Sequence, residues 1–542
     1  MSKTVYARGI RITAAIVAIT LSGWAGLPAQ AQTYKGVLTW HNDNQRTGQN
    51  VAETILTPSN VNSKDFGKLF SFPVDGQIYA QPLYVYNVPI PGQGTHNVVY
   101  VETENDSVYA FDADGLVSTP LWHDNFLSTG VTAVPCTDAP GTCAAISPTF
   151  GITGTPVIDG LNGAMYVVSF TKENGSWVQR LHALDITTGD EKFGGPVVIQ
   201  ASVAGTGGGS VHGLLSFSPI HEIQRTGLLL SNGIVYVAWA GFGNPPWHGW
   251  IMGYNPQTLK QVIVYNDTAD GERGGIWGAG GGFPADINGN IYVMTGDGTF
   301  DADAGGSDYG DSFLKLTPNG AGSLTVSDYF TPFNQDYLGQ NDLDLGSGGV
   351  MILPPQSGDH PSEIIGGGKE GMIFVVDRTN MGQYSSTANG NVQTVTSASN
   401  GFWSSPAYWN GSVYYVGVSS PLGRYPLTKG LISTTPVSQS VTSFLYPGAT
   451  PSVSSNGPKN GIVWILQDTA GKVKGGPPAC LRAYLAANVS KQLYGSGQAA
   501  GNRDQPGPGV KFAVPTVING KVYVGTQTEL DIYGLLPVAA AQ

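Results

Sequence analysis

Charge is scarce in this sequence: Asp, Glu, Lys and Arg together make up 12% of its 542 residues. Acids outnumber bases, giving a net charge of −12, and no Lys/Arg cluster stands out. A chain of this kind offers nothing to a phosphate backbone or an anionic bilayer, so nucleic acid and membrane surfaces are excluded as partners. Cysteine is nearly absent, with three residues; no two are adjacent, and no His stands at zinc-ligand spacing beside them. Helical periodicity is almost missing. There is no Ser/His/Asp nucleophile motif, phosphate-binding loop, haem-attachment motif or HExxH zinc motif. Long apolar runs are missing too, apart from one near the start.

That run defines a targeting segment. Lys3, Arg8 and Arg11 form a positive stretch, residues 12–27 are apolar, and Ala29-Gln30-Ala31 supplies the small residues of a cleavage site. A signal peptide over 1–31 and a mature chain from Gln32 are predicted, placing the protein in the periplasm or outside the cell. The run is short for a durable anchor, and no second one follows, so no membrane span is expected in the mature chain. In such a compartment Cys136 and Cys143, seven apart in CTDAPGTC, are expected to bridge. Cys480 is left over and reads as a buried small hydrophobe.

What is abundant is glycine, 76 residues, with 41% hydrophobic and 10% aromatic residues. Many short strands joined by tight turns follow from that mixture. A β unit recurs along the chain: an apolar strand of the type VYV, a polar loop, then a second apolar strand ending near Asp or Asn. It is found at 98–115, 164–189, 234–256, 291–320, 363–380, 412–430, 462–489 and 521–536. The spacing suits four-stranded propeller blades better than the much shorter rungs of a β-helix. An all-β, eight-bladed β-propeller over 32–542 is therefore predicted as a single domain. Residues 32–75 hold no full unit and are expected to lend a strand to the last blade, removing an exposed edge.

Several segments resemble the pyrroloquinoline quinone (PQQ) dehydrogenases, a family of eight-bladed propellers. LHALDITTGDEKF (181–193) is similar to their blade-closing motif, and GGIWGAGGGFPAD (274–286) to the stretch that places a Trp under the quinone. YVMTGDG, with the acidic tract after it, resembles the segment that holds a calcium-binding Asn, replaced here by Asp297. TPFNQDYLGQNDLDLGSGG (331–349) resembles the stretch with the catalytic Asp, matched by Asp344. GGGKEGMIFVVDRTN (366–380) resembles the one with a quinone-contacting Lys or Arg, matched by Lys369. The resemblance implies oxidation of an alcohol or sugar hydroxyl with PQQ and calcium. Trp277 and Lys369 would bind the cofactor, Asp297 and Asp344 the metal, and Asp344 would be the proton acceptor. Electrons would leave to a separate acceptor, since no haem domain is fused.

Two features depart from that family. Its adjacent-cysteine disulfide is missing, and its calcium-binding Glu falls in GFGNPPWHGW, where Asn244 is the nearest oxygen ligand and Glu173 lies one blade too early. These departures keep a second reading open, a non-catalytic propeller binding a carbohydrate or a protein. Three other segments have bland readings beside functional ones. DADAGGSDYGD (301–311) reads as a solvated loop, with a structural ion as the alternative. His41, Asp43 and Arg46 either line a channel mouth or tie the N-terminal segment to its neighbours, and His248 to Trp250 either stack on a sugar or pack between blades.

Overall fold

A computed structural model describes residues 1–4, 33–138, 143, 146–241, 245–468 and 477–537. Nearly all of the predicted signal peptide lies outside the described residues. Among the described residues no helix is long and apolar enough to cross a membrane. Thr33–Gln542 forms one compact unit of eight blades in a ring.

Blade 1 shows the plan: strands Leu83–Ile90, Gly94–Glu102, Ser107–Asp112 and Trp122–Asn125 pair antiparallel in sequence order from the channel outwards. Strand segments covered by neighbouring sheets on both sides are mostly apolar, and in the second strand of this blade Val98 to Val101 are all fully buried. Blades 2, 3, 5, 6 and 7 repeat the plan with inner strands Val157–Asp159, Leu229–Ser231, Met351–Ile352, Ala407–Trp409 and Ser452–Asn456. Blade 4 departs from the expected four strands. It has three, Ile291–Met294, Phe313–Pro318 and Leu324–Phe330, and its inner edge is a single bridge between Ala285 and Ile291. Gly-rich chain precedes that bridge, and glycine holds a strand poorly.

Blade 8 joins the two ends of the described chain: Phe66–Pro73 pairs antiparallel with Glu529–Leu535, outside Lys521–Gly525 and Thr516–Ile518. The core lies between blades. Trp239 and Trp250 of blade 3, both fully buried, pack against Tyr166 and Val168 of blade 2. Each such side chain taken from water contributes roughly 1.5–3 kcal/mol. Trp250 and the buried His248, which bonds Thr268 and the Gly208 carbonyl, therefore belong to inter-blade packing.

Residues 34–53 make one circuit of the channel wall. Val37 pairs with Tyr84 of blade 1, and the Leu38 carbonyl accepts from Ile158 of blade 2. Asn44 then donates to Leu230 of blade 3 and its carbonyl accepts from Ala285 of blade 4. The carbonyls of Gln45, Thr47 and Gly48 accept from Ile352, Tyr408 and Val453 of blades 5, 6 and 7, and Asn50 donates to Val517 of blade 8. Trp40, His41, Arg46 and Thr47 are buried by this packing. His41 and Arg46 thus bind the N-terminal segment to the ring, and Asp43 stays local, capping Gln45 and Thr47.

Cys136 and Cys143 form a disulfide with Cα atoms 4.9 Å apart. Cys480 is free and only partly buried, at the start of Cys480–Leu485, rather than fully inside.

Candidate functional site

The chain segments that pass from blade to blade converge on a cavity of about 500 Å³. Every passage contributes a wall: Tyr79 between blades 8 and 1, Ile146, Arg225, Trp277, Asp344, Trp403 and Tyr446 in turn, and Phe512 between blades 7 and 8. Asp297 and Lys369 enter from hairpin turns after Ile291–Met294 and Glu363–Gly367. Four of the residues singled out in the sequence, Trp277, Asp297, Asp344 and Lys369, therefore share one site. Asn244, the fifth, lies outside the described residues. Glu173 is elsewhere, clamping Arg180 with two bonds of 2.7 and 2.8 Å on blade 2.

Carboxylate oxygens of Asp297, Asp342 and Asp344 lie within 4.8 Å of one another. The Asp297 amide donates to Asp344 at 2.7 Å. This approach needs Gly296, since a Cβ there would stand 2.5 Å from Asp344 Oδ1. Lys369 Nζ bridges Asp342, at 2.7 Å, and Asp344, and Arg273 pairs with Asp297. Burial pushes Asp297 up to about 7, the Asp344 charge adds to this, and Arg273 opposes it. For Asp344 burial acts upward as well, but the ammonium of Lys369 and the hydrogen bonds from Asp297 and Lys369 outweigh it and hold the group below the usual range. Asp344 keeps 20% side-chain exposure, so it remains reachable as an anion. The Asp344 charge and the hydrogen bonds to Asp342 and Asp344 likewise overcome burial at Lys369 and keep it protonated.

Behind this trio stands Asp311, from the acidic tract read as a solvated loop. Residues 303–307 are exposed, but Asp308 and Asp311 are buried. Asp311 accepts from the Leu345 amide at 3.0 Å, and its Oδ2 is buried with no hydrogen-bond partner. Four carboxyl groups against Lys369 and Arg273 leave an excess of oxygen donors and negative charge. That donor set suits a hard divalent cation such as calcium. An ion would bind beside two resident cations, which weakens it.

The rest of the cavity is aromatic and cationic. Trp277 meets Phe512 edge to face, ring centroids 5.1 Å apart at 87°, and Trp403 meets Tyr446 likewise at 5.4 Å. Arg225, Arg273, Lys369 and Lys511 all line it. A flat, anionic ring system such as PQQ fits a cavity of this size and lining. Sequence reading missed Arg225, Arg273, Lys511 and Phe512. Arg273 directly precedes the GGIWG motif and was within reach of it; the others belong to no motif.

A second pocket on blade 2 holds a Ser–His–Glu chain that no linear motif announces. Ser169 Oγ lies 2.9 Å from His182 Nε2, and His182 Nδ1 meets Glu191. Ser169 is fully buried and Phe126 stacks on the imidazole. The chain braces two strands of blade 2 and presents no nucleophile.

No protein-family model matches this chain, and no curated protein matches it in sequence. Solved structures do. A quinohemoprotein alcohol dehydrogenase from Comamonas testosteroni is 16% identical, with a TM-score of 0.55, over 93% of this chain and 82% of that one. A second quinohemoprotein alcohol dehydrogenase, ADHIIG from Pseudomonas putida HK5, is 14% identical with a TM-score of 0.57, over 94% and 81%. A europium-containing methanol dehydrogenase is 13% identical with a TM-score of 0.56, over 92% and 98%. The chain has the eight-bladed propeller fold of the quinoprotein alcohol dehydrogenases.

Proposed function

We propose that the protein oxidises an alcohol or sugar hydroxyl, using PQQ and calcium, in the periplasm or outside the cell. The observation that carries this reading is the meeting of Trp277, Asp297, Asp344 and Lys369 in one cavity, although they come from separate passages and hairpins. When bound, PQQ supplies a two-electron acceptor for the hydride of the alcohol carbon, and calcium a Lewis acid. Asp344 takes the hydroxyl proton: it is ionised, reachable from the cavity and held in place by the Asp297 amide. Lys369 puts a fixed positive charge at the same point, and Arg273 steadies Asp297. Asp297, Asp342 and Asp344 would hold the metal, and Trp277 and Phe512 would form the aromatic wall against the cofactor. Electrons then pass to a separate acceptor.

The second reading, a propeller that binds a carbohydrate or a protein without chemistry, draws support from Lys369 and Arg273. Both already neutralise the acids that an ion would need. Adding PQQ and calcium to the purified protein, then following quinone absorbance and dye reduction over a panel of alcohols and sugars, separates the two. Turnover that falls at least 100-fold in Asp344→Asn, with PQQ binding kept, is expected. Absence of PQQ binding at high micromolar concentration overturns the enzyme reading.

A further inference from the structure

Among the described residues Arg225 is a buried cation outside any ion pair. It is 2% exposed, yet among the described residues no carboxylate lies within 4.0 Å of its nitrogens. Among the described residues its one hydrogen bond, Nη1 to the Thr153 carbonyl, is long at 3.5 Å, and Nη2 has no partner. Glu104, the acid whose charge acts on Arg225, gives its Oε2 to the Gly151 amide and Thr153 hydroxyl, at 2.7 and 3.0 Å, while its Oε1 is buried with no hydrogen-bond partner among the described residues. Burial pushes Glu104 up to about 7, so it offsets Arg225 only in part. Burial also lowers Arg225, to about 10, which leaves it charged at neutral pH. Removing one partner of a buried ion pair is strongly unfavourable, and a guanidinium held in that condition is a poor structural element.

The surroundings show where a partner would come from. The guanidinium lies over Tyr79 and Phe512, 5.1 and 5.3 Å from their centroids. Main chain covers one face at Gly280, where a Cβ would stand 2.6 Å from Nη1 and 2.8 Å from Cζ. Tyr79, Phe512, Arg225 and Lys511 all line the cavity, so the open approach is from there. Phe512 is held at φ +70°, a conformation that a bulky residue seldom adopts. Its ring packs against both Arg225 and Trp277.

We propose that Arg225, with Lys511 beside it, is the anchor for a carboxylate group carried by the occupant of this cavity. The proposal rests on reading the cavity as the ligand site, and it adds the ligand's charge. A planar guanidinium takes a carboxylate through two parallel N–H···O bonds. Two sources share that chemistry: the carboxylates of the quinone itself, and an acidic substrate such as a 2-hydroxy acid.

The test measures binding by tryptophan fluorescence and calorimetry in the intact protein, with Arg225→Met and Arg225→Lys beside the wild type. The probes are PQQ, its trimethyl ester, and the pair benzoate and benzyl alcohol. If the quinone is the source, wild type prefers PQQ over its ester, Arg225→Met weakens PQQ about 100-fold and abolishes that preference, and Arg225→Lys recovers part of it. If the substrate is the source, PQQ affinity is unchanged but discrimination between benzoate and benzyl alcohol collapses in Arg225→Met. Should PQQ fail to bind the wild type, an Arg225-dependent preference for benzoate keeps this inference while the quinone reading falls. Equal affinities of wild type and both folded variants for every probe overturn it.

Discussion

Among the described residues two arginines are buried in the channel, and they differ in how completely they are answered. Arg46, in the circuit of residues 34–53, donates through Nε to the Phe283 carbonyl and through Nη1 to Thr39 Oγ1 and the Trp40 carbonyl. Its Nη2 reaches the Leu228 carbonyl, and these bonds run from 2.7 to 3.2 Å. Arg225 has one bond of 3.5 Å and two aromatic faces. Neither forms an ion pair among the described residues. The first cation is solvated by backbone oxygens from blades 3 and 4 and the N-terminal segment, so it joins parts of the fold. The second is solvated by little, and lies where something can enter.

Breaking this contrast at Arg46 should have the largest effect. Arg46→Met leaves at least four oxygens without their donor, and a loss of about 3–5 kcal/mol in urea unfolding is expected, with or without ligand. Arg225→Met should do the opposite in the ligand-free protein. Removing an underpaired charge is expected to leave the unfolding midpoint unchanged or raise it, while the cost falls on binding. A midpoint that drops as far as in Arg46→Met would make the two arginines equivalent and remove the contrast.

A pH titration sharpens the comparison at the acids. Asp297 holds its proton up to about pH 7 because of burial and Asp344, and a bound divalent ion must displace that proton. Calcium affinity should therefore rise with pH through 7, by at most about tenfold per unit, and level off once Asp297 is ionised. The same raised value sets the sign for stability. Folded Asp297 keeps a proton that the unfolded chain has lost, so its contribution falls as pH climbs from the ordinary Asp range towards 7. Calorimetry across pH 6 to 8 checks the affinity, and the slope should be absent from Asp297→Asn.

The smallest effect is expected at the Ser–His–Glu brace of blade 2. Ser169→Ala should cost about 1 kcal/mol in urea unfolding, the usual worth of one buried hydrogen bond, and leave ligand binding untouched. Altered binding would mean that blade 2 communicates with the cavity.

The eight blades were legible because each carries a VYV-type strand that must be apolar wherever two sheets cover it. The four site residues were legible only through resemblance, each beside a glycine-rich turn that survives as a pattern. Arg225 was not legible. It follows Gln224 in an ordinary stretch, and its peculiarity is the lack of a partner, a property of space rather than of order along the chain. The circuit of residues 34–53 was missed for a related reason. Its bonds run from isolated carbonyls and amides to eight different blades, and such pairings leave no periodic trace. Blade 4 shows the converse, a repeat readable in sequence although its inner strand is only a bridge.

The joining of Phe66–Pro73 to Glu529–Leu535 also sets a timetable. The earliest strand of blade 8 is made first and paired last, because its partner lies near the other end of the chain. Until then its edge, and the carbonyls and side-chain amides of residues 34–53 that await the later blades, have no one to bond. Contacts of such sequence separation form slowly and leave strand edges open to aggregation meanwhile. A chain that stops short of residue 529 can fold its middle blades but can never shut the ring.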